Sequence, residues 1–138
     1  MMVHREDPIV VVDLRGSEGM MTTPEALDRP IAALDSAVRE LDSFGLLVLA
    51  GGDDRAPRTP SEVRRRWRSW VKSRSSELSA RCTGVALVTT SRARLVLLRL
   101  SEPAIRRMFH APSRPFMEEA SARSWLSKRV AKSAAHAE

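Results

Sequence analysis

The stretch Gly51-Gly52-Asp53-Asp54-Arg55-Ala56-Pro57-Arg58-Thr59-Pro60-Ser61 places two adjacent carboxylates, two guanidinium groups and two hydroxyls in one loop. Asp53 and Asp54 could bind a cation or work as an acid and base, although adjacent acids without further ligands are ordinarily solvated. Arg55 and Arg58 suit a bound anion. Thr59 and Ser61 stand where a helix should begin, so a phosphate on either would meet a helix N-terminus. The plainer role of Thr59 is that of an N-cap, with Pro60 at the first helical position. A second hydroxyl cluster, Thr89-Thr90-Ser91, ends an apolar run and can cap the next helix. These two segments form the candidate ligand or partner loops.

Other chemistry is thin. Arg64-Arg65-Arg66-Trp67-Arg68 could neutralise several phosphates. The basic face would consist of Arg64, Arg65, Arg68 and Lys72, opposite Val63, Trp67, Trp70, Val71 and Leu78. A solvated helix face is the simpler reading, since no helix-turn-helix or aromatic RNA-binding signature accompanies it. Trp67 and Trp70 read as core. Gly16-x-x-Gly19 and Gly51-Gly52 lack the spacing of a dinucleotide fingerprint or P-loop. There is no Gly-x-Ser-x-Gly elbow. Cys82 is the single cysteine and reads as a buried inert thiol, and His4, His110 and His136 are far apart. No catalytic residue, metal ligand or cofactor is expected.

The elements that must position these groups follow from periodicity. The 138 residues suffice for one core. Ile9 to Leu14, Leu46 to Ala50 and Gly84 to Val88 are β-branched or aliphatic runs typical of buried strands. Between the first two, Thr23-Pro24 or Asp28-Arg29-Pro30 can open a helix whose stripe is Ile31, Leu34, Val38 and Leu41, leaving Asp35, Arg39, Glu40 and Asp42 in water. After Ser91, a helix on Ala93, Leu95, Val96, Leu98 and Leu100 is expected to end or kink at Pro103, although periodicity alone leaves 94–100 open to a strand. Ile105, Met108 and Phe109 continue the packing. A short strand at 114–117 and a helix from Glu118 to Lys132 follow. Residues 133–138 are expected to fray. The fold class is therefore α/β: a single layered domain over residues 1–132 with a four- to five-stranded, largely parallel or mixed sheet and about four helices.

Charge is divided along the chain. Residues 1–54 carry four arginines against eleven carboxylates, a net of −7, while residues 55–138 carry nineteen basic against six acidic groups, a net of +13. Such asymmetry can pair two copies of a chain or be neutralised within one. No run of some 18 apolar residues is present and the N-terminus lacks an apolar signal segment, so a cytoplasmic protein without a transmembrane segment is expected.

Gly84-Val85-Ala86-Leu87-Val88, then Arg114-Pro115-Phe116-Met117-Glu118-Glu119-Ala120 and Ser124-Trp125-Leu126, resembles the C-terminal half of small STAS-type domains, the fold of anti-sigma-factor antagonists and of lipid-binding relatives. In those domains a strand with a Thr/Ser turn leads to a helix, a short strand ending in Phe, and a helix with Ala-x-x-x-Trp-Leu, whose Ala position is Ser121 here. The resemblance implies a non-enzymatic regulatory or protein-interaction module. Its Asp-Ser-Ser/Thr-Gly phosphorylation element is replaced by Gly51 to Ser61. A protein partner and possible homodimerisation through opposed charges are the leading expectations. A carrier or sensor of a small apolar or anionic ligand is the alternative, and a nucleic-acid binder comes behind it.

Overall fold

The computed structural model describes residues 2–15, 23–50 and 60–136, with side chains through residue 133. Its strands are β1 (Met2–Glu6), β2 (Ile9–Asp13), β3 (Phe44–Leu49), β4 (Cys82–Val88) and β5 (Ser113–Phe116). Its helices are α1 (Asp28–Glu40), α2 (Ser61–Ser73), α3 (Ser75–Arg81), α4 (Arg92–Phe109) and α5 (Glu119–His136). The sheet order is β1-β2-β3-β4-β5, with β1 antiparallel to β2 and every other pair parallel. The chain is thus α/β with a five-stranded, mostly parallel mixed sheet.

Strand β1 has no counterpart in the sequence reading. Its sequence, Met-Val-His-Arg-Glu, is polar and mostly exposed because the strand lies at an edge and pairs on one side only. It turns into β2 through a cis Asp7–Pro8 peptide.

The central strands are apolar on both sides because both sheet faces are covered. Val10, Val12, Phe44, Leu46, Cys82, Val85 and Leu87 face a layer that contributes Leu34, Ala37, Val38, Trp70, Val71, Leu78 and Phe109 from α1 to α4. The alternate residues Ile9, Val11, Leu47, Leu49, Ala86 and Val88 meet Ala122 and Leu126 of α5. Consecutive parallel strands joined by crossovers of one hand put successive helices on the same face, which leaves the other to α5. A register shift at Phe44/Gly45 makes Thr83 the extra residue opposite β3, and its hydroxyl donates to the Phe44 carbonyl at 3.1 Å.

Two glycines set the height of α5. Gly45 and Gly84 are register partners on adjacent strands. A Cβ on Gly45 would lie 3.0 Å from Leu126 Cδ2, and one on Gly84 would lie 3.0 Å from Arg129 Cδ and 3.3 Å from the Trp125 ring. The missing side chains let α5 settle onto the sheet. Phe116 and Arg129 flank Trp125, at 5.7 Å between ring centroids and 5.3 Å from guanidinium carbon to ring.

Several boundaries differ from expectation. The helix after the second loop begins at Ser61, with Pro60 rather than Thr59 at the cap position and no side-chain cap bond. It breaks at Arg74, so one expected helix becomes α2 and α3. Pro103 does not end α4, which runs through it to Phe109. The missing N–H leaves one carbonyl of the preceding turn without a helical donor. Pro103 is exposed, so water can serve that carbonyl, while Leu98 before it and Ile105, Met108 and Phe109 after it pack on the same core. The α4 terminus is His110 in the left-handed region, φ 55°. Helix α5 continues as far as His136.

Replacing Gly45 with Val should crowd fully buried Leu126 and cost about 1–3 kcal/mol. Urea denaturation of Gly45→Val checks this, and unchanged stability would show that α5 does not depend on the close approach.

Candidate functional site

Asp53, Asp54, Arg55, Arg58 and Thr59 lie outside the described residues. Of the remaining loop candidates, Ser61 is exposed at the start of α2 and Thr90 is exposed before α4. Thr89 is fully buried, and its Oγ1 accepts from the Ser91 N–H at 3.2 Å. Ser91 caps α4 by accepting from the Arg94 N–H at 3.3 Å. The expected capping role of this turn is therefore carried by Ser91, with Thr89 shaping the turn beneath it.

Helix α2 turns Arg64, Arg65, Arg68 and Lys72 to solvent, as its periodicity requires. None of the four forms a salt bridge among the described residues. Arg66 leaves the expected cluster: it turns inward to Asp28, 2.5 Å away, and to the Pro24 carbonyl. Trp70 is buried and Trp67 half-buried, stacked on it at 5.5 Å between centroids, as core residues.

Asp35, expected in water, is instead a junction between helices. Its Oδ1 accepts from the Trp70 indole N–H at 2.7 Å and from Arg74 Nε at 2.9 Å. A tryptophan buried in an apolar layer needs an acceptor for its N–H, and α1 supplies one.

The sequence reading placed Ala93, Leu95, Val96, Leu98 and Leu100 against the core. Only Leu95 and Leu98 turn even partly inward, and Ala93, Val96 and Leu100 are exposed. The helix is apolar on more than one side, so its periodicity did not say which side would be covered. Val96, Leu97 and Leu100 are 56%, 61% and 75% exposed. With exposed Ala93 and Ala104 they recur at i, i+3, i+4, i+7 and i+11, one continuous stripe. Arg92, Arg99 and Arg106, seven residues apart, line one flank, and Arg107 closes the C-terminal end. On that flank an open groove of about 620 Å³ is lined by Arg99, Glu102, Pro103, Arg106, Arg107 and His110. Six apolar residues among the eight from Ala93 to Leu100 were the signal that one stripe could not hold them all.

The opposed charges of the two chain segments meet within one molecule. Arg66 pairs with Asp28, Arg74 with Asp35 at 2.9 Å and Arg123 with Glu6 at 2.8 Å. Arg123 also holds Glu119 at 2.8 Å and so ties edge strand β1 to α5. Hydrogen bonding from Arg123 holds the Glu6 carboxyl below its ordinary value of 4.5. The favourable contribution of this pair is present above that value and fades as pH falls through the lowered one.

Cys82 is buried at the start of β4, and burial pushes its thiol up to about 12. The burial of Cys82 read from the sequence is what the structure holds. Among the described residues no group of three His, Cys, Asp or Glu is arranged to hold a metal ion. No described helix is long and apolar enough to cross a membrane.

No protein-family model, curated protein or solved structure matches the chain.

Two outcomes test this geometry. Asp35→Ala strands the Trp70 indole and the Arg74 guanidinium and should cost about 1–3 kcal/mol in chemical denaturation, with Asp35→Asn intermediate because it keeps an acceptor. Cys82 should react with a disulfide reagent at pH 8 on the order of a thousandfold more slowly in the native chain than in denaturant. Comparable rates would place the thiol at the surface.

Proposed function

We propose that the chain is a non-enzymatic regulatory or protein-interaction module of STAS type, and that it docks its partner on the outward face of α4. The observation that carries this reading is the exposed stripe of Val96, Leu97 and Leu100 flanked by Ala93 and Ala104. Isolated exposed apolar side chains are ordinary, but contiguous large ones at helical spacing mark interaction surfaces. Desolvating them on a partner supplies the driving force, and the surrounding arginines supply orientation.

The STAS assignment draws on the Gly84–Val88, Phe116 and Trp125-Leu126 resemblance. The sequential parallel order of β2 to β5 is compatible with it. A cytoplasmic location belongs to the same proposal. Homodimerisation through opposed charges is less favoured, since three ion pairs already join the acidic and basic segments inside one chain. The small-ligand carrier reading sets its ligand between the Gly51 to Ser61 loop, the Thr89-Thr90-Ser91 turn and the helix of Trp67 and Trp70, and residues 51–59 of that loop lie outside the described residues.

A second reading has its own observation. Arg64, Arg65, Arg68 and Lys72 form an outward basic face on α2, suited to neutralising the phosphates of a nucleic acid. The nuclease sensitivity of what position 97 captures separates a protein partner from a nucleic acid.

A photo-crosslinking benzophenone residue placed at position 97 in cells of the source organism should give one discrete protein adduct. The adduct should be resistant to nuclease, absent when the crosslinker is moved to position 128 on α5, and lost when Leu100 is changed to Ser. A nuclease-sensitive adduct would favour the α2 reading, and no adduct at position 97 would remove α4 as the docking face.

A further inference from the structure

The stripe on α4 also carries information about what would cover it, and this step rests on the docking-face reading above. We infer that the occupant is an acidic amphipathic helix of another protein, lying along α4 with its apolar side on the stripe and carboxylates facing Arg92, Arg99 and Arg106.

Shape is the first argument. From Ala93 to Ala104 the stripe runs about 16 Å, three turns of helix. Its large side chains, Val96, Leu97 and Leu100, are central and its alanines terminal, so the surface is a ridge with low ends. A second helix packs on such a ridge by placing its own i, i+3, i+4 and i+7 residues in the adjoining grooves, with axes about 8–10 Å apart.

Charge is the second. Arg92, Arg99 and Arg106 repeat every seven residues, the spacing at which flanking charges line up along a pair of packed helices. Helix α4 carries five arginines and one glutamate, Glu102, which pairs with Arg106 at 3.8 Å. The groove on this flank is open enough to admit side chains from a partner. A partner with Asp or Glu at the matching positions is attracted and placed in register.

The same charges disfavour one alternative, a second copy of the chain. A second copy packed antiparallel through α4 would bring the two arginine-rich flanks together. A bilayer surface would also accept a Val/Leu stripe among arginines, and interfacial helices commonly add Trp or Phe to that penetrating face. The exposed stripe has none, and Trp67 and Trp70 are committed to the core.

The test uses the full chain and fluorescently labelled helical peptides of about 20 residues, long enough to hold helical structure. One set carries a Leu/Ala stripe flanked by Glu, and a matched set carries Lys at the Glu positions. Anisotropy should show binding of the Glu peptides, weakening with added salt, and none of the Lys peptides. The L97S/L100S double variant should lose at least about tenfold in affinity. R92Q/R99Q should lose about three- to tenfold and most of the salt dependence. Circular dichroism and melting of both variants check that the fold is kept, as expected for exposed positions.

Equal binding of both peptide sets, or no binding of either, overturns the inference. So does sedimentation of the chain with phosphatidylcholine–phosphatidylglycerol vesicles that requires Leu97 and Leu100, or a concentration-dependent dimer abolished by the same substitutions. A protein adduct from position 97 without Glu-peptide binding would remove the acidic helix and leave the docking face standing. Failure of both would remove the face itself.

Discussion

The order of the sheet is the constraint from which the rest of the structure follows. Strands β2, β3, β4 and β5 lie side by side in chain order and run parallel, so crossovers of one hand deliver α1, the α2–α3 pair and α4 to the same face. Inner members of such a layer are flanked on both sides. Helix α4, which connects to the edge strand β5, has helical neighbours on one side and none beyond it among the described residues. A helix in that position keeps part of its surface in water whatever its sequence. Here the uncovered surface carries an apolar stripe beside its arginines, where a solvated role alone would have favoured polar residues throughout.

The opposite face is closed economically by one helix. Gly45 and Gly84 let α5 lie close to β3 and β4, and Leu126, Trp125 and Arg129 fill the space that side chains on those strands would have taken. Arg123 then reaches from α5 to Glu6 and holds the edge strand β1. Packing and charge pairing thus converge on α5, while Asp35 joins α1 to Trp70 and Arg74 in the other layer. The exposed face of α4 takes part in neither device, so changes there should leave the fold intact.

Much of this architecture was legible in the sequence. The aliphatic runs of β2, β3 and β4 announced themselves because both of their faces are buried, and the helices between them followed from stripes such as Leu34 and Val38. Strand β1 was not legible, since an exposed edge strand needs no apolar pattern. Asp35 was missed because its partners lie 35 and 39 residues away, beyond any local spacing. The orientation of α4 was missed for a different reason. Its residues 93–100 are apolar on more than one side of the helix, and the position of β5 decides which side meets the core. The candidate site was therefore visible as a composition but not as a surface.

Everything proposed for α4 requires Val96, Leu97 and Leu100 to be open to solvent in the free chain. Methyl resonances of these residues, recorded in dilute solution with a soluble gadolinium chelate, test it directly. The account predicts strong relaxation at all three, with buried Val10 and Leu126 protected, and no change on tenfold concentration. Protection of the α4 methyls at every dilution would show that the chain covers its own stripe and would contradict the account.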